Sequence, residues 1–136
     1  MTHKEYYDQY LIDKAVSDYS MEDFKELILL LAEHQIGMDI TLNFKSRDNE
    51  YYMVVYDNPF EVSFGRCSSY HDCDEQYFPS LEDLFSAELV DGISLKEEWA
   101  DLEWIGTEPP MDQFTADEII EDYEKARKNN PYWKDR

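Results

Sequence analysis

The side chains of this chain best suited to chemistry stand close together. Cys67, His71 and Cys73 fall within one short stretch, followed by Asp74 and Glu75. Thiolate, imidazole and carboxylate are the ligands zinc prefers, and a thiolate beside an imidazole is also a pair used for nucleophilic attack. The spacing argues against both. C-x3-H-x-C is not a common structural zinc pattern, no second ligand pair follows, and His3 and His34 are remote in sequence. Sequence neighbours in a loop seldom reach attack geometry, and no orienting third group is visible. Asp72, Asp74 and Glu75 offer oxygens for calcium but lack the spacing and the glycine of an EF-hand loop. Gly37, Gly65, Gly92 and Gly106 are isolated, so there is no phosphate-binding loop. No metal and no cofactor is expected, and residues 67–79 read as a polar loop.

The more abundant chemistry is acidic. Residues 68–124 hold eighteen Asp and Glu side chains against one base, Lys96, so nearly all of the chain's formal charge of −20 falls there. Such a field repels polyanions and attracts basic surfaces. Binding nucleic acid relies on Lys and Arg neutralising phosphates, which makes direct contact with DNA or RNA an unfavourable reading. An anionic membrane surface is unfavourable for the same reason. Some of these acids have a local explanation. Glu82, Asp83, Glu97, Glu98, Asp117 and Glu118 fall in the first turns of expected helices, where the macrodipole favours them by about 0.3–1 kcal/mol each. Others work against the fold: Glu97 with Asp101 and Glu118 with Asp122 stand at i, i+4, a spacing that costs like charges about 0.2–0.5 kcal/mol.

These residues need a scaffold, and 136 residues are enough for one domain with a real core. The high aromatic content argues against disorder. Residues 2–18 read as a helix. Ser20, with Asp23 three positions on, reads as the N-cap of a second helix, and Phe24, Leu27, Ile28 and Leu31 follow at helical period, with Gly37 as the stop. From Met38 the period falls to two. Met38, Ile40, Leu42 and Phe44 alternate with polar residues, residues 50–56 are rich in Tyr and Val, and Phe60, Val62 and Phe64 alternate again. Turn residues separate the three runs, so an antiparallel meander is expected. Beyond the loop come three cap signals, Ser80 with Asp83, Ser94 with Glu97 and Thr115 with Glu118, and a short strand over 102–106. The expected fold is α+β: N-terminal helices and a three-stranded antiparallel meander in residues 1–67, short helices in an acidic segment over 68–124, and a basic, frayed tail over 125–136.

The run Phe78-Pro-Ser-Leu-Glu-Asp-Leu-Phe, followed by Asp91-Gly-Ile-Ser-Leu-Lys-Glu-Glu-Trp99, resembles a segment of small acidic uncharacterised proteins from Gram-positive bacteria and their phages. That resemblance implies a bacterial or prophage setting, in which anti-CRISPR and anti-restriction inhibitors are found.

The residues and the resemblance together lead to an expected non-enzymatic inhibitor that evades antiviral defence. It would occlude the basic groove of a nucleic-acid-handling enzyme by DNA mimicry. The expected contact residues are Asp72, Asp74, Glu75, Glu97, Glu98, Asp101, Glu103, Glu118, Glu121 and Asp122, with Tyr70 and Tyr77 as aromatic anchors. Alternatives are an immunity protein that neutralises a basic toxin, a small zinc-binding domain or enzyme, and a scaffold whose acidity only aids solvation. The N-terminus carries no apolar segment of the secretory type and the longest apolar run is too short to span a bilayer, so a cytoplasmic location with both thiols free is expected.

Overall fold

In the computed structural model of the protein, residues 20–57, 60–67, 73–109 and 116–129 are described. The first described helix, α1 (Met21–Glu33), begins as its cap signal predicts. The hydroxyl of Ser20 accepts from Asp23 N at 3.1 Å, satisfying one of the amides that a helix start leaves without a partner. Phe24, Leu27, Ile28 and Leu31 are fully buried along one stripe. The helix ends earlier than expected. His34 is its C-cap and Gln35 takes the left-handed turn at φ 60°, so Gly37 is not the stop. Gly37 is instead where the chain enters the sheet close to its neighbour, because a Cβ there would sit 2.6 Å from the carbonyl oxygen of Val55.

The meander is present as β1 (Met38–Phe44), β2 (Glu50–Asp57) and β3 (Phe60–Cys67), each antiparallel to the next. The sheet is larger than the three strands expected. Cys73–Phe78, expected as part of a polar loop, is a strand, β4, paired with β3. Its apolar signal is weak because it is an edge strand needing few buried side chains. Phe78 packs against the core, while the side chain of Gln76 accepts from Val90 N at 3.0 Å. A fifth strand, β5 (Leu102–Glu108), pairs antiparallel with β1, giving the order β4-β3-β2-β1-β5.

One face of this sheet carries the core. Met38, Ile40 and Leu42 stand in register with Val55, Met53 and Tyr51, and Val55 and Met53 with Val62 and Phe64. The described helices bury their apolar sides in the same cluster. Helix α2 (Leu81–Ser86) adds Leu84 and Phe85, and its cap follows the sequence signal, with Asp83 N donating to the Ser80 hydroxyl at 3.2 Å. Helix α3 (Leu95–Glu98) departs from it. The Ser94 hydroxyl makes no cap bond, and the carboxylate of Glu98 accepts from Ser94 N instead. A single 3-10 turn (Trp99–Asp101) follows, so Glu97 and Asp101 do not share one helix face as their spacing implied. Trp99 is half-buried between Phe24 and Phe85, with ring centroids at 5.4 and 5.8 Å.

Helix α4 (Ala116–Asn129) buries Ala116, Ile119 and Ile120. The basic tail was expected to fray from residue 125. Residues 125–129 instead form the end of α4, and Arg127 donates to the carbonyls of His34 and Gln35 at the end of α1. The helix expected over 2–18 and the Thr115 cap lie outside the described residues. The architecture is α+β, and the described helices pack on one face of the antiparallel sheet.

Candidate functional site

Three bases of the described fold, Lys25, Arg47 and Arg66, hold the acidic segment to the scaffold. Lys25, only 8% exposed, stands 4.7 Å over the Phe85 ring, 3.1 Å from Glu82 and 3.5 Å from Glu22. Arg47 reaches Glu98 through two nitrogens at 3.0 and 2.9 Å and also donates to the Asp91 carbonyl at 3.1 Å. Arg66 donates to Asp91 at 2.9 Å. Asp91 has φ 61°, a left-handed conformation that Asp tolerates better than most residues. There its carboxylate also accepts from the Tyr51 hydroxyl at 2.7 Å. That bond, with Arg66 adding to it, holds the Asp91 carboxyl below its ordinary range, and burial with the same bond pushes Tyr51 up. Asp101 is lowered by the hydroxyl and backbone amide of Ser46, both of which donate to it.

This divides the residues expected to face a partner. Glu98 and Asp101 carry internal bonds that seat α3 and the following turn against the β1–β2 connection. Glu97 is exposed on α3. Glu118, Glu121 and Asp122 lie on α4, on the helical side of the molecule. Glu75, Tyr77 and Glu103 lie on the strands, and Asp74 stands in register opposite Arg66. Tyr70 and Asp72 are outside the described residues, as is His71, while Cys67 and Cys73 are register partners on β3 and β4. The ten described ones therefore do not form one continuous surface.

The sheet face opposite the core was not recognised in the sequence as a surface. Register places Tyr52, Val54 and Tyr56 of β2 on it, with Ser63 of β3, Tyr77 of β4 and Trp104 of β5. Among the described residues, four of the five large apolar or aromatic side chains that stand exposed are on this face: Tyr52, Tyr56, Tyr77 and Trp104. Their exposures of 37%, 43%, 53% and 50% distinguish them from the buried rings across the sheet. Small residues make room between them. Ser63 and Gly65 lie between the tyrosines of β2 and the side chains of β4, and the Trp104 ring occupies the space that a Cβ on Gly106 would fill. Tyr77 donates to the Glu75 carboxylate, and this bond to an anion pushes the phenol up to about 12.

The rim of this face is acidic. The five strands contain eight carboxylates and one base, Arg66, whose position alternates onto the core side beside Asp91. Asp39, Glu50, Glu61, Glu75 and Glu108 alternate onto the open side. The outward signal existed in the sequence as the polar half of each alternation, with tyrosines where Thr or Lys would serve solubility equally well. Among the described residues no group of His, Cys, Asp and Glu is arranged to hold a metal, and no helix is long and apolar enough to cross a membrane. Compared with protein-family models, curated proteins and solved structures, the chain matches none.

Proposed function

We propose that this is a non-enzymatic, acidic protein-binding inhibitor that occludes the basic groove of a nucleic-acid-handling enzyme. The carrying observation is the one-sided use of charge. Lys25, Arg47, Arg66 and Arg127 bond within the fold, while the exposed carboxylates of the open sheet face and α4 outnumber the exposed bases Lys45, Lys96, Lys125 and Lys128. Duplex DNA presents one negative charge per about 1.7 Å of axis, and a carboxylate-rich surface competes for the same Lys and Arg side chains. The acids that bond internally position others and are poor targets for mutation. Glu97, Glu103, Glu121 and Asp122 are exposed and suited to charge reversal.

The test is affinity capture from a bacterial lysate at low salt, with captured proteins identified by mass spectrometry and then challenged with duplex DNA. Release of a basic nuclease or related enzyme by DNA supports the reading. Glu97→Lys with Glu103→Lys should weaken capture and reduce its salt dependence. Captured partners that DNA cannot displace would remove mimicry. The exposed aromatic side chains also suit an immunity protein, because rings are frequent hot spots at protein interfaces. Rescue of cells by co-expression with a neighbouring toxin gene would favour that reading.

A further inference from the structure

We propose that the open sheet face docks an arginine-rich segment of the partner, with guanidinium groups lying on Tyr52, Tyr56, Tyr77 and Trp104 and pairing with the acidic rim. This rests on the acidic-inhibitor reading and names the side chain that the surface reads. Three observations carry it.

First, register alone places the four rings on one face, from edge strand β4 to edge strand β5. Four strand spacings of about 4.8 Å make that face about 19 Å wide, room for about six extended residues of a partner. Second, among the described strand residues the complementary charge is missing from this side. Asp39, Glu50, Glu61, Glu75 and Glu108 surround the rings, and the strands supply no base there. A second copy of this chain would bring carboxylates against carboxylates. Single-stranded nucleic acid stacks on aromatic platforms too, but only where a cationic groove tracks its backbone. Third, arginine fits both parts of the surface at once. Its guanidinium is planar and weakly hydrated, stacks on aromatic faces and pairs with carboxylates through two parallel bonds. The lysine ammonium is compact and strongly hydrated, and gains mainly from the rim. Tyr77 is held toward its neighbouring carboxylate by its own hydrogen bond, so ring and anion form one unit.

The experiment titrates the full chain with capped hexa-arginine and hexa-lysine peptides at equal ionic strength. Affinity is read by calorimetry, and the Trp104 indole N–H by NMR. Hexa-arginine should bind about tenfold more tightly than hexa-lysine, the sum of modest gains at several rings, and should shift the Trp104 signal. Tyr77→Ala with Trp104→Ala should bring the two affinities together while leaving salt-dependent binding of both. The rings are exposed, so circular dichroism should be unchanged. Equal affinities in the unmodified protein, or a preference that survives the double variant, overturns the sheet-face inference and leaves the acidic-inhibitor reading standing. Binding of neither peptide overturns both. Single-stranded DNA binding that Trp104→Ala abolishes would reassign the face to nucleic acid and also overturn the inference.

Discussion

Tyr77 and Glu75 sit two residues apart on one strand, so their side chains leave the same side of the sheet and can bond. A neutral phenol donates to the carboxylate, whereas a phenolate would face it charge against charge. Glu75→Gln should therefore bring the Tyr77 hydroxyl down from about 12 toward the ordinary value of 10. The difference in tyrosinate absorbance between each protein and its Tyr77→Phe counterpart, followed across alkaline pH, isolates that one group. Gly106 makes a separate prediction. The nearest atoms a methyl there would meet are at the outer end of the Trp104 ring, which can swing away. Gly106→Ala should leave stability nearly unchanged and move Trp104 fluorescence, whereas Gly37→Ala, which meets the Val55 backbone, should cost about 1–3 kcal/mol in chemical denaturation.

At the level of elements, the three serines at helix starts are not equivalent. Ser20→Ala removes a side-chain cap and should cost about 1 kcal/mol. Ser94→Ala should cost much less, since the Ser94 hydroxyl makes no cap bond. Urea denaturation of the two variants separates them. The caps at Ser20 and Ser80 were legible because a short side chain bonding three residues ahead is a local event. The alternation of β1 to β3 was legible because half of each strand is buried. What could not be read was pairing at a distance. β4 looks polar because it is an edge, and Glu98 looks like a surface acid until Arg47 is brought to it by a hairpin turn. The aromatic face depended on register, since Tyr52, Tyr77 and Trp104 become neighbours only once the strand order is known.

Across the whole molecule, charge is both the stabilising link and the main strain. Asp91 and Asp101 have folded pKa values below the ordinary 3.8, so their contribution is present above that value and is lost as pH falls through the lower, folded one. Thermal melts should show stability dropping on acidification below pH 3.8, and Asp91→Asn should flatten that acid limb. At neutral pH a net charge of −20 repels itself. Raising ionic strength from about 10 mM to about 150 mM should raise the melting temperature, because screening relieves that repulsion more than it weakens the few ion pairs. A melting temperature that falls with salt would mean that the Lys25, Arg47 and Arg66 pairs outweigh the excess of acids.

The acidic rim around the exposed rings also keeps molecules of this protein apart. An aromatic sheet face with two edge strands is a ready template for stacking copies, and like charge at its border holds them off in concentrated solution. That protection vanishes with the charge. As the pH approaches the isoelectric point of about 4.2, the protein should cloud before it unfolds, and Tyr52→Lys on the open face should keep it clear.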